Sequence, residues 1–158
     1  NTDELCFIVT GDLAFFYDMN SLGIRNIKNN VRILLINNGG GAEFKIMTRN
    51  WKKDVHVDSY ISANGHNGSA KGWAENCGFK YLKANNKNEL DKVKDIFLMH
   101  NEKSIILEVF TNGDDEPKAM DAIVSSNAIT TPTDCLKNMV KNIIGEPGLN
   151  IIKRKLRK

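Results

Sequence analysis

The 158-residue sequence has no apolar run approaching the roughly 20 residues that a bilayer-spanning helix needs. Its longest, Ile33-Leu34-Leu35-Ile36, has the length of a buried strand. A secretory signal pattern is also lacking, so the sequon Asn67-Gly68-Ser69 carries no weight as a glycosylation site. Cysteine is scarce. Cys6, Cys77 and Cys135 form no Cys-x-x-Cys pair, which argues against a disulfide framework or zinc site and for reduced thiols in a cytoplasmic protein. Excess charge is missing too: the net +3 is smaller than the five positive charges within 153–158, so the rest of the chain sums to about −2. A near-neutral body with a basic end does not describe a nucleic-acid-binding domain, and the tail reads as a solvated helix end. Neither nucleic acid nor membrane is expected as a partner. There is no internal repeat and no low-complexity block. Finally, Asn1 leads into an apolar strand without an initiator methionine or a polar lead-in, which sets the expectation of a piece of a longer protein.

What is present is globular, with 41% apolar and 26% charged residues. Leu5–Val9 reads as a fully buried strand ended by Thr10-Gly11-Asp12. Phe15, Met19 and Leu22 then recur at helical spacing, with Asp12 placed to cap the helix and Asn29-Asn30 to break it. Val31–Ile36 is a second buried strand that runs into Asn37-Asn38-Gly39-Gly40-Gly41. Strand, helix and strand within about 35 residues make a right-handed βαβ unit with a parallel pair. Ser69–Cys77 predicts a short helix stopped by Gly78, Phe79–Ala84 a strand, and Asn88 the cap of a helix with Leu90, Val93 and Phe97 on one face. Ser104–Thr111 is the last clear strand. The fold class is therefore α/β, a three-layer α/β/α sandwich with a mostly parallel sheet. Residues 1–112 form its core. Residues 113–158 form a C-terminal helical extension with a basic tail. In that extension Leu136, Met139, Val140 and Ile143 give a helix between Thr133 and Ile144 an apolar face suited to a neighbouring subunit.

Ligands of open parallel sheets bind at the carboxyl ends of the strands. Two such ends here carry Gly11-Asp12 and Asn38-Gly39-Gly40-Gly41. The 26 positions from Asp12 to Asn38 are one crossover unit, so both can face one crevice. A carboxylate, an amide oxygen and glycine-freed carbonyls form the hard oxygen set that Mg²⁺ takes alongside phosphate oxygens. The amides of Leu13 and Ala14 open a helix at the same place. A plainer reading, with Asp12 as a cap and Asn38-Gly39 as a turn, stands beside this. Three successive glycines weigh against it, because each costs backbone entropy. They complete neither a P-loop nor a G-x-G-x-x-G fingerprint.

GDLAFFYDMN followed by NVRILLINNGGGAEF resembles the thiamine-diphosphate motif of the cofactor-dependent decarboxylases and acyloin synthases. The likeness runs through ENCGFKYLKANNKNEL to SIILEVF, roughly residues 4 to 111. Gly-Asp-Leu and Tyr-Asp-x-Asn look most like the menaquinone-pathway synthases that join 2-oxoglutarate to isochorismate, with acetolactate-synthase-like enzymes next. Leu13, where most relatives have a small residue, favours the menaquinone branch. The resemblance implies Mg²⁺ held by Asp12, the Asn38 side chain and the Gly40 carbonyl. It implies diphosphate lined by Gly11, Leu13 and Ala14, with Gly39, Gly41 and Phe44 walling the site. The implied cofactors are thiamine diphosphate and Mg²⁺, and the implied substrate is a 2-oxo acid that loses carbon dioxide. No catalytic residue is assigned within the chain: the activating glutamate is expected on a missing pyrimidine-binding domain of a second subunit. A homodimer or homotetramer follows, and this chain alone is expected to be inactive. Two alternatives stay open, a simple decarboxylase releasing an aldehyde and a non-catalytic α/β module that binds a phosphate ligand or serves assembly.

Weaker candidates remain. His56, His66 and His100 follow no ligand spacing, but His66 lies between two Asn-Gly turns on a loop able to approach substrate. Asp54, His56 and Asp58 alternate as a strand's exposed face would. Glu43 and Lys45 flank the crevice as surface residues, and Trp73 reads as packing.

Overall fold

A computed structural model describes residues 3–42 and 65–127, together with 139, 142 and 145. Backbone proximity divides the chain into two compact units, Asn1–Met120 and Asp121–Lys158. Among the described residues of the first, four strands form one sheet: β1 (Cys6–Gly11), β2 (Val31–Asn37), β3 (Lys80–Ala84) and β4 (Ile105–Phe110). Their order is β1-β2-β4-β3 and every neighbouring pair is parallel. Between them run α1 (Asp12–Tyr17), a 3₁₀ segment (Met19–Gly23), α2 (Lys71–Asn76) and α3 (Lys87–Leu98), with α4 (Glu116–Ser126) following β4.

Alternation along the strands sorts the core into two faces. On one, Ile33, Leu35 and Ile106 pack with Phe15, Leu22, Ala70, Ala74 and Phe79 beneath α1 and α2. On the other, Ile105 and Leu107 meet Phe97, with Leu90 and Val93 of α3 packed against them. Helices on both faces of a parallel sheet are the three layers that the sequence pattern implies. Trp73 is a packing residue, its indole N–H donating to the Met19 carbonyl at 2.6 Å. No helix among the described residues is long and apolar enough to cross a membrane.

Several local expectations are corrected. β1 is not buried: Phe7, Ile8 and Val9 are 51%, 43% and 70% exposed, because among the described residues β1 is an edge strand and periodicity cannot tell an edge from a centre. The first helix is shorter than its apolar spacing suggests. The Asp18 N–H is shared between the Ala14 and Phe15 carbonyls, and the chain tightens into the 3₁₀ segment. Asp12 is the first residue of α1, and Gly11 holds the N-cap position. Asn86, not Asn88, caps α3, its side chain accepting the Glu89 N–H at 3.0 Å while the Glu89 carboxylate accepts the Asn85 N–H at 2.9 Å. The helix α4 falls within the helical extension expected over 113–158, ahead of the one helix placed there at Thr133–Ile144. Pro117 falls in its first turn, where a missing N–H costs nothing. Of the helix expected over Thr133–Ile144, only Met139 and Asn142 are described, both helical, and the basic tail lies outside the described residues.

Candidate functional site

The parallel register brings Gly11 of β1 beside Ile36 of β2, so Asp12 and the Asn37-Asn38 pair emerge together at the carboxyl edge of the sheet. Asp12 is 2% exposed. Its Oδ2 accepts the Gly39 N–H at 2.8 Å, the Gly40 N–H at 3.0 Å and the His66 Nε2–H at 3.0 Å, while Oδ1 accepts the Leu13 N–H at 2.8 Å. One carboxylate thus gathers the start of α1, the glycine loop and the segment before α2.

Asn38 completes the arrangement. Its Oδ1 also accepts the Gly40 N–H, at 3.0 Å, so the Asp12 and Asn38 oxygens converge on one hydrogen. Its Nδ2 donates to Glu116 Oε2 at 2.7 Å. Asn37 faces inward: Nδ2 donates to the Gly68 carbonyl at 2.9 Å and to Glu108 Oε1 at 2.8 Å, and Oδ1 accepts the Gly39 N–H at 3.1 Å. Below it, the fully buried Glu108 carboxylate collects Ser69 Oγ at 2.7 Å, Tyr81 Oη at 2.6 Å and the Ala70 N–H at 3.2 Å. Burial, and then donation to this carboxylate, raises the Tyr81 phenol above its ordinary value.

His66, a weak candidate in the sequence, is brought against Asp12. Its Nδ1 accepts the Gly68 N–H at 3.1 Å, which assigns the ring proton of the neutral form to Nε2, facing Asp12. Phe16 meets the ring edge-to-face, with centroids 5.1 Å apart. Leu13, Phe16, Tyr17, His66 and Gly68 line an apolar pocket of about 340 Å³ beside Asp12. A polar hollow of about 460 Å³ bordered by Lys28, Gly78 and Ser104 lies at the other ends of the strands, away from this chemistry.

The donor set suits a hard cation with an anionic ligand. Among the described residues Asp12 Oδ1 accepts a single N–H, which leaves lone-pair capacity on a carboxylate that already shares a convergence point with an amide oxygen. A Cβ built on Gly11 would meet nothing within 4 Å at a φ of −82°, so nothing in the described chain demands glycine there and the space suits a bound group. Among the described residues no three His, Cys, Asp or Glu side chains cluster as a metal site, which leaves the oxygens of Asp12, Asn38 and the loop backbone as the candidates. Leu13 is half-buried, Ala14 exposed, and Gly40 and Gly41 half-buried at the loop. Phe44, Glu43, Lys45, Asp54, His56 and Asp58 lie outside the described residues.

Gly39 has a specific requirement. Its φ is +78°, and a Cβ there would stand 3.2 Å from the His66 carbonyl oxygen. Gly39→Ala is expected to destabilise the chain by about 1–2 kcal/mol, the cost of a left-handed non-glycine residue, and to loosen the loop. Urea unfolding measures this; a change below about 0.5 kcal/mol, the scatter of neutral surface substitutions, would contradict it.

No protein-family model matches the chain. It is similar to the 2-succinyl-5-enolpyruvyl-6-hydroxy-3-cyclohexene-1-carboxylate synthase of Bacteroides thetaiotaomicron, at 44% identity over 115 residues, covering 70% of this chain and 20% of that protein. Proteins of the same name from Phocaeicola vulgatus and Christiangramia forsetii are 41% and 39% identical over 113 and 111 residues, each match covering 70% of this chain. These two matches cover 20% and 19% of the respective relatives. The chain therefore spans about a fifth of the length of the curated relatives it matches.

Proposed function

From its homology to part of the 2-succinyl-5-enolpyruvyl-6-hydroxy-3-cyclohexene-1-carboxylate synthases, we propose that this chain is the diphosphate- and Mg²⁺-binding part of a thiamine-diphosphate-dependent enzyme. That enzyme decarboxylates a 2-oxo acid and joins the remaining acyl group to a second substrate. The observation that supports this most is the convergence of Asp12 Oδ2 and Asn38 Oδ1 on one N–H at the carboxyl ends of adjacent parallel strands. Asp12, Asn38 and the Gly40 carbonyl hold Mg²⁺ in this reading. Gly11, Leu13 and Ala14 line the diphosphate, and Gly39, Gly41 and Phe44 wall it. The apolar pocket at Leu13, Phe16 and His66 suits the uncharged flank of a heterocycle.

When bound, thiamine diphosphate supplies the carbon nucleophile and the electron sink for decarboxylation. The chain's own residues fix the diphosphate, keep the metal oxygens in place and hold the loop against Asp12. The succinyl group in the relatives' name is what 2-oxoglutarate leaves after losing carbon dioxide, and the ring carboxylate matches isochorismate, so these are the proposed donor and acceptor. A glutamate on another domain, contributed by a second subunit of a homodimer or homotetramer, completes the site, in a cytoplasmic enzyme. This chain alone is inactive in this account.

The full-length protein, given 2-oxoglutarate, isochorismate, thiamine diphosphate and Mg²⁺, is expected to release carbon dioxide in step with a coupled product. Carbon dioxide with only an aldehyde would replace carboligation by simple decarboxylation. Folded protein that releases none with any 2-oxo acid would contradict the enzyme reading.

A further inference from the structure

We propose that Glu116 is a positioning residue that turns the Asn38 amide oxygen toward the cation; this rests on Asp12 and Asn38 being Mg²⁺ ligands. The two ends of an amide side chain are nearly equal in shape and opposite in hydrogen bonding. A flipped Asn38 would aim its NH₂ at Gly40 N–H and at the cation site, placing donors where an acceptor is required. Glu116 Oε2 accepts the Asn38 Nδ2–H at 2.7 Å, a charge-assisted bond that fixes the donor end outward and the oxygen end inward.

Glu116 is itself held. Its Oε1 accepts the Thr111 hydroxyl at 2.7 Å, and it is half-buried at the first position of α4. The Asn112 turn feeds that start: the Asn112 side chain accepts the Asp114 N–H at 2.9 Å, and its carbonyl accepts the Asp115 N–H at 2.9 Å. A carboxylate 78 positions away in sequence is thereby returned over the glycine loop. Asn37 has an equivalent anchor in Glu108, but its oxygen receives only the Gly39 N–H among the described residues. Asn38 is the member of the pair whose oxygen shares a hydrogen with Asp12. Orienting groups behind metal ligands of this kind change metal affinity by about 10–100-fold when removed.

The test is calorimetric titration of thiamine diphosphate into the full-length protein at a series of fixed Mg²⁺ concentrations, from which the apparent Mg²⁺ affinity is read. Glu116→Ala is expected to weaken Mg²⁺ about tenfold or more with little change in melting temperature. Glu116→Gln, whose amide oxygen can still accept from Asn38, is expected to recover most of that loss. Background charge is separated by Asn38→Asp, which has no donor end to orient. There, Glu116→Ala should strengthen Mg²⁺ binding by removing a like charge instead of weakening it. Wild-type affinity in Glu116→Ala, a Gln variant as weak as the Ala variant, or the same weakening in the Asn38→Asp background would each overturn the orienting role. Asp12→Ala serves as the control: if it binds Mg²⁺ as wild type does, the ligand assignment fails, whereas loss there with an unaffected Glu116→Ala rejects only Glu116.

Discussion

Replacing Asp12 by Ala is expected to remove Mg²⁺-dependent binding of thiamine diphosphate from the full-length protein, by about 100-fold or more. Two effects add. In the proposed ligand set the cation would lose its carboxylate, and Mg²⁺ sites usually offer only one or two carboxylates. The loop also loses its anchor, because Asp12 accepts the N–H groups of Leu13, Gly39 and Gly40 and the Nε2–H of His66. Leaving buried donors unpaired costs about 1–3 kcal/mol each where water cannot replace the partner. A thermal melt should therefore show Asp12→Ala destabilised as well, by on the order of 2–4 kcal/mol given partial rehydration. Asp12→Asn retains one acceptor and is expected to lose binding with a smaller loss of stability. Unchanged binding in both variants would remove Asp12 from the site.

Glu108→Ala is expected to be the most destabilising single change in the described sheet, by about 3–5 kcal/mol. The residue is fully buried in β4 opposite Leu35, and its carboxylate organises four partners: Asn37, Ser69, Ala70 and Tyr81. Truncation leaves two hydroxyls, a backbone N–H and an amide N–H facing a void. Such a loss is a large share of the roughly 5–15 kcal/mol that holds a domain together. Because Asn37 carries the Gly39 N–H, the glycine loop should loosen too. Glu108→Gln, which preserves volume and one oxygen, is expected to cost less than half as much. Urea unfolding of both variants decides this: a Glu108→Ala loss below about 1 kcal/mol would mean that water enters and satisfies the network.

Sheet and site were legible to different depths, for physical reasons. The apolar runs at 31–36 and 105–110 announce central parallel strands because burial on both faces removes alternation. The same run at Leu5–Val9 promises burial that the edge position does not supply. Asp12 and Asn38 were readable as a pair because one crossover fixes their spacing. His66 was readable only as a weak candidate, and Glu108 and Glu116 not at all, since their contacts join residues 54, 71 and 78 positions apart. A charged residue inside Ile-Ile-Leu-Glu-Val-Phe is the visible sign of a buried polar network, but not of its partners. Glu116 gave no sign at all: its meaning depends on where α4 begins, and Pro117 reads as a break until its first-turn position is known.

The central claim is that Asp12 and Asn38 hold a Mg²⁺-diphosphate ligand, and calorimetric titration of thiamine diphosphate into the full-length protein tests it most directly. With Mg²⁺ present the account predicts saturable binding, which is lost on chelating the metal and lost in Asp12→Ala and Asn38→Ala. Binding that ignores the metal, or persists in both variants, or no binding to well-folded protein, would contradict it.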